Sequence, residues 1–137
     1  MRIIKQFAIA STGALTLTAA AAAAELTGQE IKALLVGNTV YLEVQAAGSS
    51  TGAGGNGAIY YTADGTAHYK TPKGEMWQGK YSFKDNTLCT EWKQAPNTGC
   101  TRYDKQGDTI TLYNTASGLA RGKIVKSAAG NPEKLGQ

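Results

Sequence analysis

The sequence contains very few of the side chains that build metal centres and catalytic triads. It has one histidine, His68, and two cysteines among 137 residues. A single histidine excludes a metal site made of several imidazoles, and a Ser-His-Asp arrangement would have to be built around that one residue. His68 falls on a predicted hairpin strand, where an ordinary strand position is the simpler interpretation. We therefore expect no metal site.

Other parts of catalytic or cofactor-binding machinery are also missing. Glu75 and Glu91 could act as paired carboxylates, but a β-rich domain with ten acidic residues offers many such pairs, and this spacing carries no signal. The segment Gly52-x-Gly54-Gly55-x-Gly57 superficially resembles a phosphate-binding loop. It lacks the lysine and precedes a predicted strand instead of a helix, so we interpret it as a linker. We expect a protein that is not an enzyme, with no catalytic residues and no cofactor.

The first 24 residues have the pattern of a secretory signal peptide. Arg2 and Lys5 precede an apolar and small-residue stretch that ends in six alanines. The run Ala22-Ala23-Ala24 fits a small-residue cleavage site, with Glu25 as the first mature residue. Hydroxyl residues leave the strongly apolar part short of the roughly 20 apolar residues that a membrane span needs. We expect a periplasmic or secreted protein with no membrane span after cleavage.

The remaining chain has no strong charge of either sign. The full sequence has 14 Lys plus Arg and 10 Asp plus Glu, and removal of residues 1–24 takes away two basic residues and leaves a net charge of +2. The basic residues are scattered among acidic ones and form no stripe that could follow a phosphate backbone. Nucleic acid is therefore not an expected partner.

Cys89 and Cys100 are the only cysteines, and both lie after the predicted cleavage site. An exported protein meets an oxidising compartment, so we predict that they form a disulfide bond. A redox or metal role is the alternative, but the two residues do not form a C-x-x-C pair and no histidine is near them in the sequence. Residues 25–137 are enough for a single domain with a modest core.

A short helix is predicted at the start of the mature chain. Thr27-Gly28-Gln29-Glu30 has the spacing of a capping box. Ile31, Leu34 and Leu35 form one apolar side at helical spacing, and Gly37 is a natural terminator. A helix of about nine residues is not stable alone, so it should pack on the rest of the domain with this side inward.

From Asn38 onward the hydrophobic period is two, which predicts strands. The run Ala46–Gly57, made almost entirely of small residues, is interpreted as a mobile loop that cannot pack a core. The predicted strands are 39–45, 59–62, 67–71, 77–84, 87–93, 101–105, 109–114 and 120–126. The fold class is therefore mainly β: an antiparallel meander of about 7–8 strands that forms a small barrel or a strongly curled sheet, with the helix packed on it.

Aromatic residues give the only lead to a binding site. The sequence has seven tyrosines against two phenylalanines, and every tyrosine falls on a predicted strand. Alternation puts Trp77, Tyr81 and Phe83 on one face as predicted core, and puts Leu88 with Trp92 on one face of the next strand. Such residues could line a cavity that offers apolar contact and hydroxyl groups. The candidate ligand-pocket residues are Trp77, Tyr81, Trp92, Tyr61 and Tyr103.

Several short patterns together resemble a family of small secreted proteobacterial proteins classed as a domain of unknown function. The matching pieces are Gly37-Asn38-Thr39, Tyr60-Tyr61 with Asp64-Gly65, Gly79-x-Tyr81, Leu88-Cys89 with Trp92, Cys100 with Tyr103, and Gly130-Asn131-Pro132. The chain departs from the family at Tyr81, where a tryptophan is expected, and in a longer glycine-rich loop. The resemblance implies export and a lipocalin-like or calycin-like β-fold. It implies no activity and no functional residues.

Three kinds of function remain as predictions, and an enzyme ranks last of them because no nucleophile, base and orienting group can be assembled from the sequence. The first is a non-catalytic periplasmic module, expected to be a monomer, that binds a small apolar or amphipathic ligand. The second is a periplasmic protein-interaction or inhibitor module that presents the loop Ala46–Gly57 or the disulfide loop to a partner protein. An internal cavity above roughly 300 Å³ would favour the first, and a filled interior would favour the second.

Overall fold

The structure is a computed structural model that describes residue 13 and residues 22–137. The predicted signal peptide therefore lies outside the described residues, apart from Gly13 and residues 22–24. The mature chain after the predicted cleavage site is described throughout.

The described residues form one α-helix, one 3₁₀ turn and nine strands. Helix α1 spans Gly28–Leu35, and the 3₁₀ turn spans Ala46–Gly48. The strands are β1 (Ala24–Glu25), β2 (Asn38–Val44), β3 (Gly55–Tyr61), β4 (Thr66–Lys70), β5 (Met76–Lys84), β6 (Thr87–Trp92), β7 (Cys100–Gln106), β8 (Thr109–Asn114) and β9 (Ala120–Ala129). The predicted strands are all present, most of them with shifted ends, and β1 is an addition.

Strands β2 to β9 form a closed antiparallel barrel. Each strand pairs with the next along the chain, and β9 pairs back with β2. Strand β1 extends the barrel by pairing with the second half of β7, beyond the end of β6. The prediction of a mainly β fold is confirmed. Of the two predicted architectures, a small barrel and a strongly curled sheet, the closed barrel is the correct one. A closed barrel leaves few strand edges unpaired.

The antiparallel order puts the connections at two opposite ends of the barrel. At one end lie the β3–β4, β5–β6 and β7–β8 turns, and α1 packs there with Ile31 and Leu35 fully buried. The backbone N–H of Gly28 donates to the side chain of Asn86 in the β5–β6 turn. At the other end lie the 3₁₀ turn, the β4–β5 and β8–β9 turns, and the loop between Cys89 and Cys100. We call this second end the loop end.

The first turn of α1 is capped as the sequence predicts. The Glu30 N–H donates to Thr27 Oγ1 at 3.2 Å, and the Thr27 hydroxyl donates to the Glu30 carboxylate.

We expect Thr27→Ala to lower the free energy of unfolding by about 1 kcal/mol, because an N-terminal N–H group loses its acceptor. Urea denaturation measures the change, and Thr27→Ser, which keeps the hydroxyl, serves as the control. An alanine variant as stable as the serine variant would contradict this account of the cap.

The core follows the inward positions of the alternating strands. Its buried members include Val40 and Leu42 of β2, Tyr61 of β3, Leu88 of β6 and Tyr103 of β7. Successive side chains of a strand point to opposite faces, so one residue in two enters the barrel. The predicted shared face of Leu88 and Trp92 is confirmed, since both are buried.

One part of the core prediction is wrong. Trp77, Tyr81 and Phe83 are only partly buried and pack against the margin of the core. They share the inward face of β5 with Gly79, which is buried. A Cβ at Gly79 would lie 2.9 Å from Cε3 of Trp92. The indole of Trp92 therefore fills the space in front of β5 at Gly79.

The prediction of a mobile, unpacked loop at Ala46–Gly57 is also wrong. The segment begins with the 3₁₀ turn and ends inside β3, which starts at Gly55. Gly48 is buried, and a Cβ there would collide with the backbone of Ala120. The small residues allow this turn to lie directly on the start of β9, instead of leaving it detached from the core.

The predicted disulfide is present between Cys89 and Cys100, which lie directly opposite each other on β6 and β7. Cys89 is half-buried, whereas its neighbour Leu88 is buried. The disulfide therefore lies on the face of the sheet opposite Leu88 and Trp92, as strand alternation predicts.

Candidate functional site

The barrel interior contains a cavity of about 60 Å³ near the loop end. Its apolar wall is made by Leu42, Val44, Ile59, Leu88 and Leu112, and its aromatic wall by Tyr61, Tyr69, Trp92 and Tyr103. Polar groups gather at the loop end of the cavity: Ser49, Ser50, Thr98 and Arg121. The cavity therefore has apolar sides and a polar end.

The polar end is formed by connections that the barrel topology brings together. Ser49 and Ser50 follow the 3₁₀ turn after β2, and Thr98 belongs to the loop closed by the disulfide. The Thr98 hydroxyl donates to the carbonyl of Thr90 on β6 at 3.2 Å, which holds this loop over the barrel. Two segments far apart in the sequence thus cover one cavity.

A β-bulge directs Arg121 into this site. In the β8–β9 pairing, Leu112 lies opposite Gly122 and Tyr113 lies opposite Ala120, so Arg121 is an extra residue. A bulge changes the direction of a side chain relative to regular alternation. Gly122 lies opposite Val44, an inward residue of β2. The bulge gives Arg121 the same inward face as the glycine that follows it, and both residues line the cavity.

Gly122 is a position that requires glycine. Its φ is +152°, and a Cβ would lie 3.1 Å from Cα of Val44 and closer still to the Glu43 carbonyl oxygen. Because no side chain occupies this position, β9 approaches β2 closely and leaves space beside the Arg121 side chain. The Arg121-Gly122 pair therefore creates the polar end of the cavity.

The Arg121 guanidinium is held by neutral oxygen atoms. Nη1 donates to the Gly48 carbonyl at 3.3 Å and to Ser50 Oγ at 3.1 Å, and Nη2 donates to the Thr98 carbonyl. Nε is buried and has no hydrogen-bond partner. Within residues 22–137, the ion pair between Arg102 and Asp104 is the only salt bridge, so no carboxylate neutralises Arg121.

The surroundings of Arg121 lower the pKa of its guanidinium group. Burial lowers the pKa of the guanidinium, and the nearby Tyr103 and Tyr61 hydroxyls oppose that shift. An arginine remains protonated at physiological pH even so. The cavity therefore contains a positive charge that is partly removed from water and has no anion beside it.

The three tyrosines that line the cavity stay neutral to high pH. Burial is the main cause in each case: it raises the pKa of Tyr69 from 10.0 to about 12, and raises the pKa of Tyr61 and Tyr103 as well. The exposed fraction is 2% for Tyr61 and 1% for Tyr103. These hydroxyls can therefore act as hydrogen-bond donors at physiological pH.

The raised tyrosine pKa values predict alkaline unfolding. Their stabilising contribution is complete below pH 10, and it falls as the pH rises from 10 towards 12, because the unfolded chain then releases phenolic protons that the folded chain keeps. Tyrosinate absorbance and circular dichroism should therefore change together for the buried tyrosines. The denatured protein is the control, in which all seven tyrosines should ionise in one step. Ionisation of all seven near pH 10 in the folded protein would contradict the prediction.

Three of the five predicted pocket residues line the cavity: Tyr61, Trp92 and Tyr103. Trp77 and Tyr81 lie outside its lining. The Trp77 ring packs edge-on against Tyr69 with centroids 6.2 Å apart, and the Tyr81 ring packs edge-on against Tyr61 at 5.2 Å. These two residues support the aromatic wall from behind.

Sequence reasoning missed the polar residues of the cavity. Arg121 falls on a predicted strand, where strict alternation says nothing of a bulge. A glycine inside a strand is a signal of bulges and close backbone approach, and Gly122 carries that signal. Ser49 and Ser50 lie in the segment Ala46–Gly57, which the sequence predicts to be a mobile loop, and their packing depends on the 3₁₀ turn.

The other candidate chemical groups lie outside this cavity. His68 stacks on Tyr60 with ring centroids 6.4 Å apart, and the C-terminal Gly136 packs against its ring. The Glu75 carboxylate accepts a hydrogen bond from the Trp77 indole, and Glu91 is exposed on β6. Among residues 22–137 no group of three or more His, Cys, Asp or Glu side chains is placed to hold a metal ion. No helix of the described part is long and apolar enough to span a bilayer.

Comparison with known proteins adds no relative: no family model, no curated protein and no solved structure matches the chain. The resemblance to secreted proteins of unknown function stays a prediction. The function must therefore be argued from the cavity itself.

Proposed function

We propose that this domain is a non-catalytic binding module that holds a small ligand in the barrel cavity at the loop end. One observation carries the proposal: the interior is not filled, and the unfilled space has apolar sides and a polar end with a partly buried guanidinium. Binding sites typically combine an apolar wall with a few placed polar groups. The enclosure by two loops further supports a site that takes up and releases its ligand.

The size of the cavity limits the ligand. At about 60 Å³ it is well below the roughly 300 Å³ expected for a drug-sized ligand. A single water molecule takes up about 10–15 Å³ of such a cavity, so the space suits a ligand of about four to six heavy atoms. A longer amphipathic ligand could place only one end here.

We also propose that the protein acts outside the cytoplasm, in the periplasm or as a secreted protein. The Cys89–Cys100 disulfide is compatible with an oxidising compartment. Cleavage after Ala24 would leave Leu26 in place, and its buried side chain and its N–H bond to the Tyr103 carbonyl at 2.8 Å would anchor the new N-terminus.

The experiment for both proposals is native mass spectrometry of the protein exported by cells that express the full chain, compared with the denatured protein. Extra mass that disappears on denaturation supports the binding module. A denatured mass equal to residues 25–137 less two hydrogens supports the proposed cleavage and the disulfide. A native mass without excess, together with no response to any small probe in solution, would overturn the binding proposal.

A protein-interaction or inhibitor module is the second candidate. Two exposed apolar residues at the loop end favour it: Met76 at the start of β5 and Leu119 just before β9. Exposed loops on a rigid scaffold often carry recognition. Double replacement of Met76 and Leu119 by serine should leave the fold intact and abolish partner binding if this second function is correct. A partner that binds this double variant unchanged would exclude that surface.

A further inference from the structure

We propose that the ligand of the cavity is a short-chain monocarboxylate whose carboxylate group is held by Arg121. This inference rests on the proposed binding function and names the chemical class of its ligand. It starts from a charge: Arg121 is the only charged residue that lines the cavity, and no acidic residue lines it. Partial burial of a cation without an anion is unfavourable, and a bound carboxylate would offset part of that cost.

The guanidinium has unused donors for such a group. It carries five N–H donors. Its hydrogen bonds to Gly48, Ser50 and Thr98 use at most three of them, and the Nε donor is among those left over. A carboxylate accepts up to two parallel N–H bonds from a guanidinium, and to reach Nε, which no solvent contacts, it would have to displace the groups that cover this atom. The hydroxyls of Tyr61 and Tyr103 are hydrogen-bonded to each other and lie close enough to influence Arg121, so one hydroxyl of the pair could donate to the same group.

The rest of the lining distinguishes a carboxylate from a mineral anion. A single guanidinium balances one negative charge, and the lining includes no lysine or histidine that would balance a second charge on phosphate or sulfate. Leu88, Leu112 and Trp92 face the same space and offer contact to a hydrocarbon chain, which sulfate or chloride cannot use. The volume suits a chain of about two to four carbons.

Arg121 also has a structural role that any test must separate from binding. Its bonds to Gly48, Ser50 and Thr98 tie the 3₁₀ turn and the disulfide loop to β9. A substitution at this position can therefore weaken the fold without any ligand being involved. For this reason the first test uses the unchanged protein.

The first experiment titrates the wild-type protein with butyrate and with butyramide, which has a similar shape and no charge. Binding is followed by NMR, through the indole N–H of Trp92 and the methyl groups of Leu88 and Leu112. We expect butyrate to bind at least tenfold more tightly than butyramide. Its affinity should fall when the pH drops below the pKa of butyric acid, while that of butyramide should not change. Sulfate and chloride should bind at least tenfold more weakly than butyrate.

The second experiment compares Arg121→Gln with Arg102→Gln. Arg102 lies on β7 in the partly buried ion pair with Asp104, outside the cavity, so its variant should keep the preference for butyrate. Arg121→Gln should bind butyrate and butyramide equally. If this variant does not fold, the pH dependence in the wild-type protein still decides, because it requires no substitution.

The outcomes separate this inference from the binding function. Equal affinity for butyrate and butyramide, or tighter binding of sulfate than of butyrate, would overturn the carboxylate and leave a neutral or mineral-anion site. Absence of binding by all four probes would overturn the carboxylate, and with no excess mass in native mass spectrometry it would overturn the binding module as well. A preference for butyrate that is lost in Arg121→Gln and kept in Arg102→Gln would support both the carboxylate ligand and the binding function.

Discussion

Replacement of Trp92 by alanine is expected to lower the free energy of unfolding by about 3–5 kcal/mol, the range for a large buried aromatic residue. Trp92 is 5% exposed, and its ring lies 5.4 Å from that of Tyr69 between ring centroids. Gly79 faces it across β5 and β6 and has no side chain that could fill the space left behind. The variant would thus combine lost apolar contact with a larger cavity. Urea denaturation followed by circular dichroism measures the effect.

Trp77→Ala is the matched control, since it removes the same side chain from the neighbouring strand. Trp77 is only partly buried at the margin of the core, and its ring lies 6.3 Å from that of Trp92. We expect it to cost about 1–2 kcal/mol, because much less apolar surface returns to water. A Trp77 variant at least as destabilised as the Trp92 variant would show that the interior is organised around Trp77 instead.

This pair of residues illustrates what local pattern can predict. Period-two alternation gives each tryptophan its face correctly, because a side chain's face depends only on its strand. Alternation does not predict which of the two tryptophans is the more deeply buried. That depends on the register between β5 and β6, which places Gly79 opposite Trp92. Register is a property of two strands together, so the pattern of one strand does not give it.

The fold was largely predictable for the same reason. The capping box of α1 is a local motif, and the turns between the later strands carry their own residue preferences. Strand Thr109–Asn114 has the bounds that the sequence predicts. Closure of the barrel was left open because it requires β9 to pair with β2, and nothing local in either strand specifies that contact.

The polar end of the cavity was the least predictable part of the site. The inward direction of Arg121 depends on a bulge, and one extra residue reverses the face that alternation assigns. Its partners Gly48 and Ser50 are more than 70 positions away in the chain. A glycine-rich segment has weak preferences of its own, so its conformation is decided by the strand on which it packs.

The second large effect is expected from loss of the disulfide. Replacement of both Cys89 and Cys100 by alanine should lower the free energy of unfolding by about 2–3 kcal/mol, on the chain-entropy model for a short loop. The location adds a structural reason. Only three residue pairs join β6 to β7, the fewest between neighbouring strands of the barrel, and the Cys89–Cys100 pair is the last of them. Urea denaturation of the double variant measures the loss, and reduction of the wild-type protein should reproduce it.

The same substitution should also loosen the loop end while the helix end stays closed. Residues 93–99 are tied to the barrel by the disulfide, by the Thr98–Thr90 bond and by the bond from Arg121 to Thr98. Without the covalent tie, amide hydrogen exchange in this loop should rise more than in the Asp85-Asn86 turn beside α1. An equal increase in amide hydrogen exchange at both ends would mean that the disulfide stabilises the fold as a whole and has no particular effect on the loop end. A selective increase would mean that it also holds the cover of the cavity, and that access to Arg121 depends on an oxidised β6–β7 seam.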